Sequence, residues 1–210
     1  MRLGRDFFER ETHKVAQSLI GKLLVKHVTF FGQYIRLSGI ITETEAYGFI
    51  DDQASHAYKG MTTRNMAMFG NAGTAYIYFI YGNHYCMNIV AKERNSLAGA
   101  VLIRSLEPIE GIGVMKILRR SMHLFNLTSG PGKLTQAFKI GNRHNRFDLV
   151  ENTNKYFYVE ENGIEKDFII VQSRRIGITS ETERKWRFTM HVKEPGVSRY
   201  SPSKYLSKSS

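Results

Sequence analysis

Residues 74–91 read Thr-Ala-Tyr-Ile-Tyr-Phe-Ile-Tyr-Gly-Asn-His-Tyr-Cys-Met-Asn-Ile-Val-Ala, two strand-like runs on either side of a Gly-Asn pair. Period-two alternation of large side chains needs a pleated backbone, and a turn this short returns the chain antiparallel beside itself. The pattern predicts a hairpin with arms over 74–81 and 84–91 and a turn at Tyr81-Gly82-Asn83-His84. Tyr76 and Tyr78 then share one face, and Ile77, Phe79 and Tyr81 share the other.

The rest of the chain reads in the same way. Strands are expected over 22–28, over 33–46 with Ile35, Leu37 and Ile41 on alternate positions, and over 100–106. Residues 156–160, 168–173 and 187–192 are also strand-like. Helices are expected over 6–20, with Gly21 as a stop, and from Pro108 to about Ser121. A short one follows Ser129-Gly-Pro-Gly, with the serine as cap and proline in the first turn. Strands joined by short turns outnumber helices. The expectation is a single compact α+β domain over 1–200, with a curved, largely antiparallel sheet flanked by helices and a protruding aromatic hairpin. Residues 201–210 read as a polar, flexible tail.

Charge narrows the partners. Thirty Lys and Arg against nineteen Asp and Glu leave a net charge of +11, which points to a polyanion, nucleic acid first. The lone cysteine, Cys86, lies in an apolar run, rules out an internal disulfide framework and reads as a buried, inert thiol. No apolar stretch approaches the ~20 residues of a membrane span, and the N-terminus lacks the apolar region of a signal peptide, so the location expected is cytoplasmic.

In so basic a chain the carboxylates of Ile41-Thr-Glu-Thr-Glu-Ala-Tyr47 stand out. Glu43 and Glu45 are two apart on a strand and point the same way. Glu43 reads as part of a solvated face. Glu45 is the more constrained, because Tyr47 and the aromatic hairpin can wall it off. Arg104, a charge inside an apolar strand, is a candidate partner that would keep such a carboxylate ionised, and the two together can hold a water for general base catalysis. Asp51, Asp52 and His56 could join Glu43 and Glu45 as metal ligands, but no familiar ligand spacing is present. Tyr81 at the hairpin turn is a bulky tip of the kind that can wedge between base pairs. Asn88, polar within an apolar run, should satisfy a buried backbone group or face a ligand. Arg64, Lys133, Arg143, Arg174 and Arg175 are candidate phosphate contacts, and Phe79 and Tyr76 read as core.

These blocks, with Thr63-Arg-Asn, Met68-Phe, Val101-Leu-Ile-Arg-Ser-Leu-Glu-Pro and Ser129-Gly-Pro-Gly-Lys-Leu, occur in order along nearly the whole chain. The chain resembles the alkyladenine (3-methyladenine) DNA glycosylases of mammals and many bacteria, a family distinct from the helix-hairpin-helix glycosylases. The resemblance implies a monofunctional N-glycosyl hydrolase of base excision repair. It would flip 3-methyladenine, 7-methylguanine, hypoxanthine or ethenoadenine out of double-stranded DNA and leave an abasic site. It further implies that Glu45 activates the water and Arg104 helps position it. Tyr47, His56, Tyr78 and Asn88 would form the base pocket, with Asn88 excluding normal guanine. Tyr81 would intercalate, and Arg64 and Lys133 would hold phosphates. No metal, cofactor, lysine nucleophile, membrane or obligate protein partner is implied, and a monomer is the default.

Asn83, Asn142 and Lys193-Glu-Pro depart from the family pattern, but none of them touches Glu45 or Arg104. One geometric consequence follows. Tyr78 and Asn88 can line one pocket only if three residues, 81–83, separate the arms or a bulge intervenes. A non-catalytic damage sensor and a metal-dependent nuclease using Glu43, Glu45 and Asp51 or Asp52 are the competing readings.

Overall fold

A computed structural model describes residues 1–80, 82, 84–151, 153–163 and 167–192. Tyr81, Asn83, the Lys193-Glu-Pro segment and the 201–210 tail lie outside the described residues. Two short helices, α1 (Arg5–Phe8) and α2 (Thr12–Leu19), precede strands β1 (Leu23–Phe30) and β2 (Gln33–Tyr47). The hairpin is β3 (Ala75–Ile80) and β4 (His84–Val90), followed by β5 (Ala100–Glu110), α3 (Ile112–Arg119) and α4 (Pro131–Ala137). Strands β6 (Phe157–Glu160), β7 (Phe168–Ser173) and β8 (Arg187–Val192) complete the described chain.

All eight strands join one sheet in which the pairings are antiparallel, ordered β3-β4-β5-β2-β1-β6, with β8 on β2 and β7 on β8. The architecture is α+β, as its alternation implied. β2 positions the site because its two ends have different neighbours. Its first half pairs with β1, and at Glu43–Glu45 β8 takes that edge while β5 keeps the other.

Three helix boundaries differ from expectation. The single helix over 6–20 is two, because the backbone leaves helical geometry at Glu9 (ψ 48°) and Thr12 Oγ1 turns to the carbonyl of Ala91 (2.9 Å). Pro108 does not open a helix. It pairs with Gly39 inside β5 beside a register shift, where a missing N–H is tolerated, and α3 starts only after Gly111, whose φ of 72° releases the chain from the strand. The residue before α4 is Gly130 rather than Ser129, whose hydroxyl goes to Asn126 Oδ1 (3.3 Å).

In the hairpin Ile80 pairs with His84, so three residues separate the arms. Tyr76 lies opposite Asn88 and Tyr78 opposite Cys86, which puts these four on one face. Ala75, Ile77, Met87, Ile89, Val101 and Ile103 cover the other face and enter the main core. On the site face a smaller apolar cluster, Tyr76, Val90 and Ala100 with Ala57, Ala67 and Met68 from the 48–72 loop, closes the floor. Phe79 is not core. It is 48% exposed, with the Tyr85 ring tilted against it at 5.0 Å.

Away from that face, Lys26 is 2% exposed, and its ammonium donates to the carbonyls of Phe138 and Lys139 (3.1 Å each). Burial, with Arg143 and Lys139 adding repulsion, lowers its pKa from 10.5 to about 7. The unfolded chain therefore holds more protons than the folded one between about pH 7 and 10.5, so this residue makes stability rise with pH across that window. Its cost is fully present below about 7. Lys26→Met should flatten the rise, and melts of both proteins at pH 7 and pH 9 measure it. Equal slopes would refute the assignment.

Candidate active site

Consecutive strands carry the site as one row. Tyr76 pairs with Asn88, Asn88 with Leu102, Leu102 with Glu45 and Glu45 with Arg187, so their side chains leave the sheet on the same face. The adjacent row is Val90, Ala100 and Tyr47. On the other side of the Glu45 row the ladder is irregular. Glu43 pairs with Ser105 and Thr44 with Ile103, which leaves Arg104 as the extra residue of a bulge. A bulge re-aims a side chain, and here it turns the guanidinium across both carboxylates. Arg104 Nε donates to Glu43 Oε1 (2.9 Å) and Nη1 to Glu45 Oε2 (3.1 Å).

Glu45 is fully buried. Oε2 also accepts from the Tyr47 hydroxyl (2.9 Å), and Oε1 accepts from the Ile176 amide (2.7 Å). Three donors and no acceptor face it, which suits the anion, a group that only accepts. Burial, followed by the Glu45 charge and hydrogen bond, pushes the Tyr47 phenol well above its ordinary range, so it remains a donor. Burial opposes the charge on Arg104, yet Glu45 and then Glu43 outweigh it and hold the guanidinium more firmly protonated than usual.

Glu43 does not lie on the solvated face that its strand position implies. It is 4% exposed, and Oε1 accepts from Arg187 Nε (2.6 Å) as well as from Arg104. The reason is that β8 covers the β2 edge that a strand pattern alone leaves open.

Tyr47, the hydrogen-bond partner of Glu45, lines a cavity of about 150 Å3 with His56, Met68, Tyr76, Tyr78 and Asn88, and with Ala54, Ala100, Gly177 and Ile178. The structure thus brings together Tyr47, His56, Tyr78 and Asn88. Tyr76 belongs to the wall as well as to the core, and its hydroxyl shares a hydrogen bond with His56 Nδ1 (2.9 Å). The His56 ring meets Tyr78 edge-on at 4.7 Å. Burial, with Arg64 adding repulsion, lowers the His56 pKa and favours a neutral ring. Asn65 fixes the His56 backbone by donating to its carbonyl (2.7 Å). Asn88 Nδ2 donates to the Tyr76 carbonyl (3.0 Å), so this side chain both satisfies a buried backbone group and faces the cavity. Cys86 is buried opposite Tyr78, and burial raises its thiol pKa.

The basic candidates separate. Arg64 is exposed, with its guanidinium 5.7 Å from the Tyr78 ring centre, beside the cavity wall. Lys133 is in the first turn of α4 and bonds Asn126, while a Cβ on neighbouring Gly132 would touch His84 at the hairpin end. Arg174 pairs with Glu183 on the surface. Arg143 lines a separate cavity of about 430 Å3 with Lys26, Lys139 and His144, which does not reach Glu45. Arg175 is not a phosphate contact, because both it and Asp52 have fully buried side chains. Two parallel bonds of 2.7 Å join them, and the guanidinium sits 4.8 Å from the Tyr47 ring centre. The same pairing removes Asp52 from any set of metal ligands.

Sequence reasoning missed Arg187, Ile176 and the Gly177–Ile178 wall. Arg187 had a weak signal, a charge opening an alternating strand. An amide N–H has none.

The family model described as "Methylpurine-DNA glycosylase (MPG)" matches residues 6–194. A protein from Clostridium acetobutylicum provisionally named 3-methyladenine DNA glycosylase is 46% identical over 201 residues, 90% of this chain and 93% of its own. One of the same name from Prosthecochloris aestuarii is 45% identical over 202 residues, 96% of this chain and 93% of its own. Matches of that extent span every strand of the sheet and both faces of the Glu45 row, and on them the chain belongs to the methylpurine-DNA glycosylase family.

Proposed function

We propose that this protein is a DNA-3-methyladenine glycosylase that admits a damaged purine, rotated out of duplex DNA, to the cavity beside Glu45 and hydrolyses its N-glycosidic bond. The observation that carries the reading is a fully buried carboxylate held by three donors, one of them the hydroxyl of Tyr47, which lines an aromatic-walled cavity. In this reading a water oxygen bonds to C1′ as the C1′–N9 bond breaks. Glu45 takes the water proton, and the bond pair leaves with the base. A base carrying an alkyl group and a positive charge departs neutral and stacks well on the faces of Tyr47, Tyr78 and neutral His56. A neutral base such as hypoxanthine needs a proton delivered to it. Asn88, anchored by the Tyr76 carbonyl, is a fixed polar obstacle in the floor, in keeping with a role in excluding the exocyclic amine of guanine. In this reading Arg64 and Lys133 meet phosphates, which the nearness of Arg64 to Tyr78 and of the first turn of α4 to His84 supports, and the +11 charge favours duplex DNA as partner. Extrusion is cheaper, on the order of a few kcal/mol, for damaged or mispaired bases, which adds to selectivity.

The test is a duplex with one hypoxanthine or ethenoadenine, incubated with the protein in the presence of chelator and then treated with alkali. Strand breaks should appear only after alkali. Direct breaks abolished by chelator would instead identify a nuclease, and tight binding without breaks a damage sensor.

A further inference from the structure

Glu43 does more in this site than accompany Glu45. Its Oε1 accepts from the Nε of two different arginines, Arg104 at 2.9 Å and Arg187 at 2.6 Å, and Arg104 continues through Nη1 to Glu45. Arg187–Glu43–Arg104–Glu45 is therefore a buried chain of alternating charges. Side-chain exposures are 15% for each arginine, 5% for Glu43 and 0% for Glu45. Burying charge is costly, and two carboxylates where one would neutralise Arg104 need a reason. The geometry supplies one. Arg104 is a bulge residue free of the regular ladder, so the direction of its guanidinium is set by what grips Nε, and that is Glu43. Arg187, opposite Glu45 across β2 and β8, in turn grips Glu43 and balances the second negative charge.

We infer that Glu43 and Arg187 are positioning residues for the reaction: Glu43 aims Arg104 at Glu45 and at the water they share, and the Glu43–Arg187 pair sets the net charge that Glu45 feels. This rests on Glu45 being the base. The other ionisable groups around Glu45 are Tyr47 on its own strand, Arg104 from β5, and Cys86 from β4 opposite Tyr78 of β3. The Arg175–Asp52 pair lies behind Tyr47. The two tyrosines and the thiol stay neutral and the last pair is self-neutralised, which leaves Glu43 and the two arginines as the charges that decide.

The experiment measures single-turnover excision of ethenoadenine against pH for the wild type, Glu43→Gln, Arg187→Gln and Glu45→Gln. Glutamine at 43 keeps the size and an oxygen for both Nε groups but removes the charge. Two arginines then act on Glu45 against one fewer carboxylate, so the acid limb of the profile moves to lower pH. Arg187→Gln removes a positive charge and moves the limb the other way. Glu43→Ala also frees Arg104 and lowers the rate at the optimum by about tenfold or more, with lesion binding little changed. Opposite displacements are a result that a merely structural role would not produce. Limbs that coincide with the wild type, or a profile with no acid limb, overturn the inference. An active Glu45→Gln overturns the assignment of the base instead. If Glu43→Gln fails to fold, the direction of the Arg187→Gln displacement decides alone.

Discussion

Glu45→Gln should bind lesion-bearing duplex nearly as well as the wild type and excise at least a hundredfold more slowly, since a positioned base contributes about 10^2 to 10^4 in rate. The substitution keeps shape and removes the only charged acceptor in the row. Its side effect can be foreseen from the hydrogen bonds. The amide oxygen can take the Oε2 place, facing the Tyr47 hydroxyl and Arg104 Nη1, but its NH2 then points at the Ile176 amide, donor against donor. A buried mismatch of that kind costs about 1–3 kcal/mol of stability. A modest drop in melting temperature is therefore expected without loss of the fold. Single-turnover excision on an ethenoadenine duplex, with anisotropy for binding, checks both halves. Activity within tenfold of the wild type would remove Glu45 from the chemistry.

Asp52→Ala should be the most destabilising single change outside the main core, by about 3–5 kcal/mol, because it leaves the Arg175 guanidinium buried without a counter-charge. The carboxylate has four donors to satisfy. Arg175 Nη1 and Nη2 bind one oxygen each at 2.7 Å, and the amides of Gly48 (2.8 Å) and Ala54 (3.2 Å) complete the set. Arg175 Nη1 also ties down the Ala46 carbonyl at 2.8 Å. The pair thus bolts the Arg175–Ile178 segment and the 48–56 loop to the end of β2, and Ile176 offers its amide to Glu45 only while that bolt holds. For a chain of this size the melting temperature should fall by about 10 °C, and excision should fall with it. The double variant Asp52→Ala/Arg175→Met removes both charges and should recover most of the stability, since an apolar pair of similar volume replaces a buried ion pair at little cost. Denaturant melts of the two singles and the double close the cycle. A single-variant loss below about 1 kcal/mol would show that the pair is not what holds the segment.

Where local chemistry dominated, the elements were legible. The hairpin follows from alternation, but a turn drawn at 81–84 leaves the parity of its arms open, and the Ile80–His84 pairing is what puts Tyr78 and Asn88 on one face. The start of α3 was not legible, because a proline that looks like a first helical residue is equally at home beside a bulge, and only the Gly39 partner distinguishes the two. Glu43 and Arg175 failed for a related reason. A charge on a strand or loop reads as solvated until another element covers it, and β8 and the 48–56 loop do so from more than 120 residues away.

The sequence by itself determined the strand pattern, the shared face of Tyr76 and Tyr78, and the identity of Glu45 and Arg104 as the charges worth watching. Each of these depends on side-chain type and a period of two. Only the tertiary structure decided that Glu43 is buried between two arginines, that Arg175 serves Asp52 rather than a phosphate, and that the third donor to Glu45 is the backbone of Ile176. Those contacts depend on which edge of β2 each distant segment covers. An amide N–H is the same in every residue but proline, so no pattern of side chains announces it.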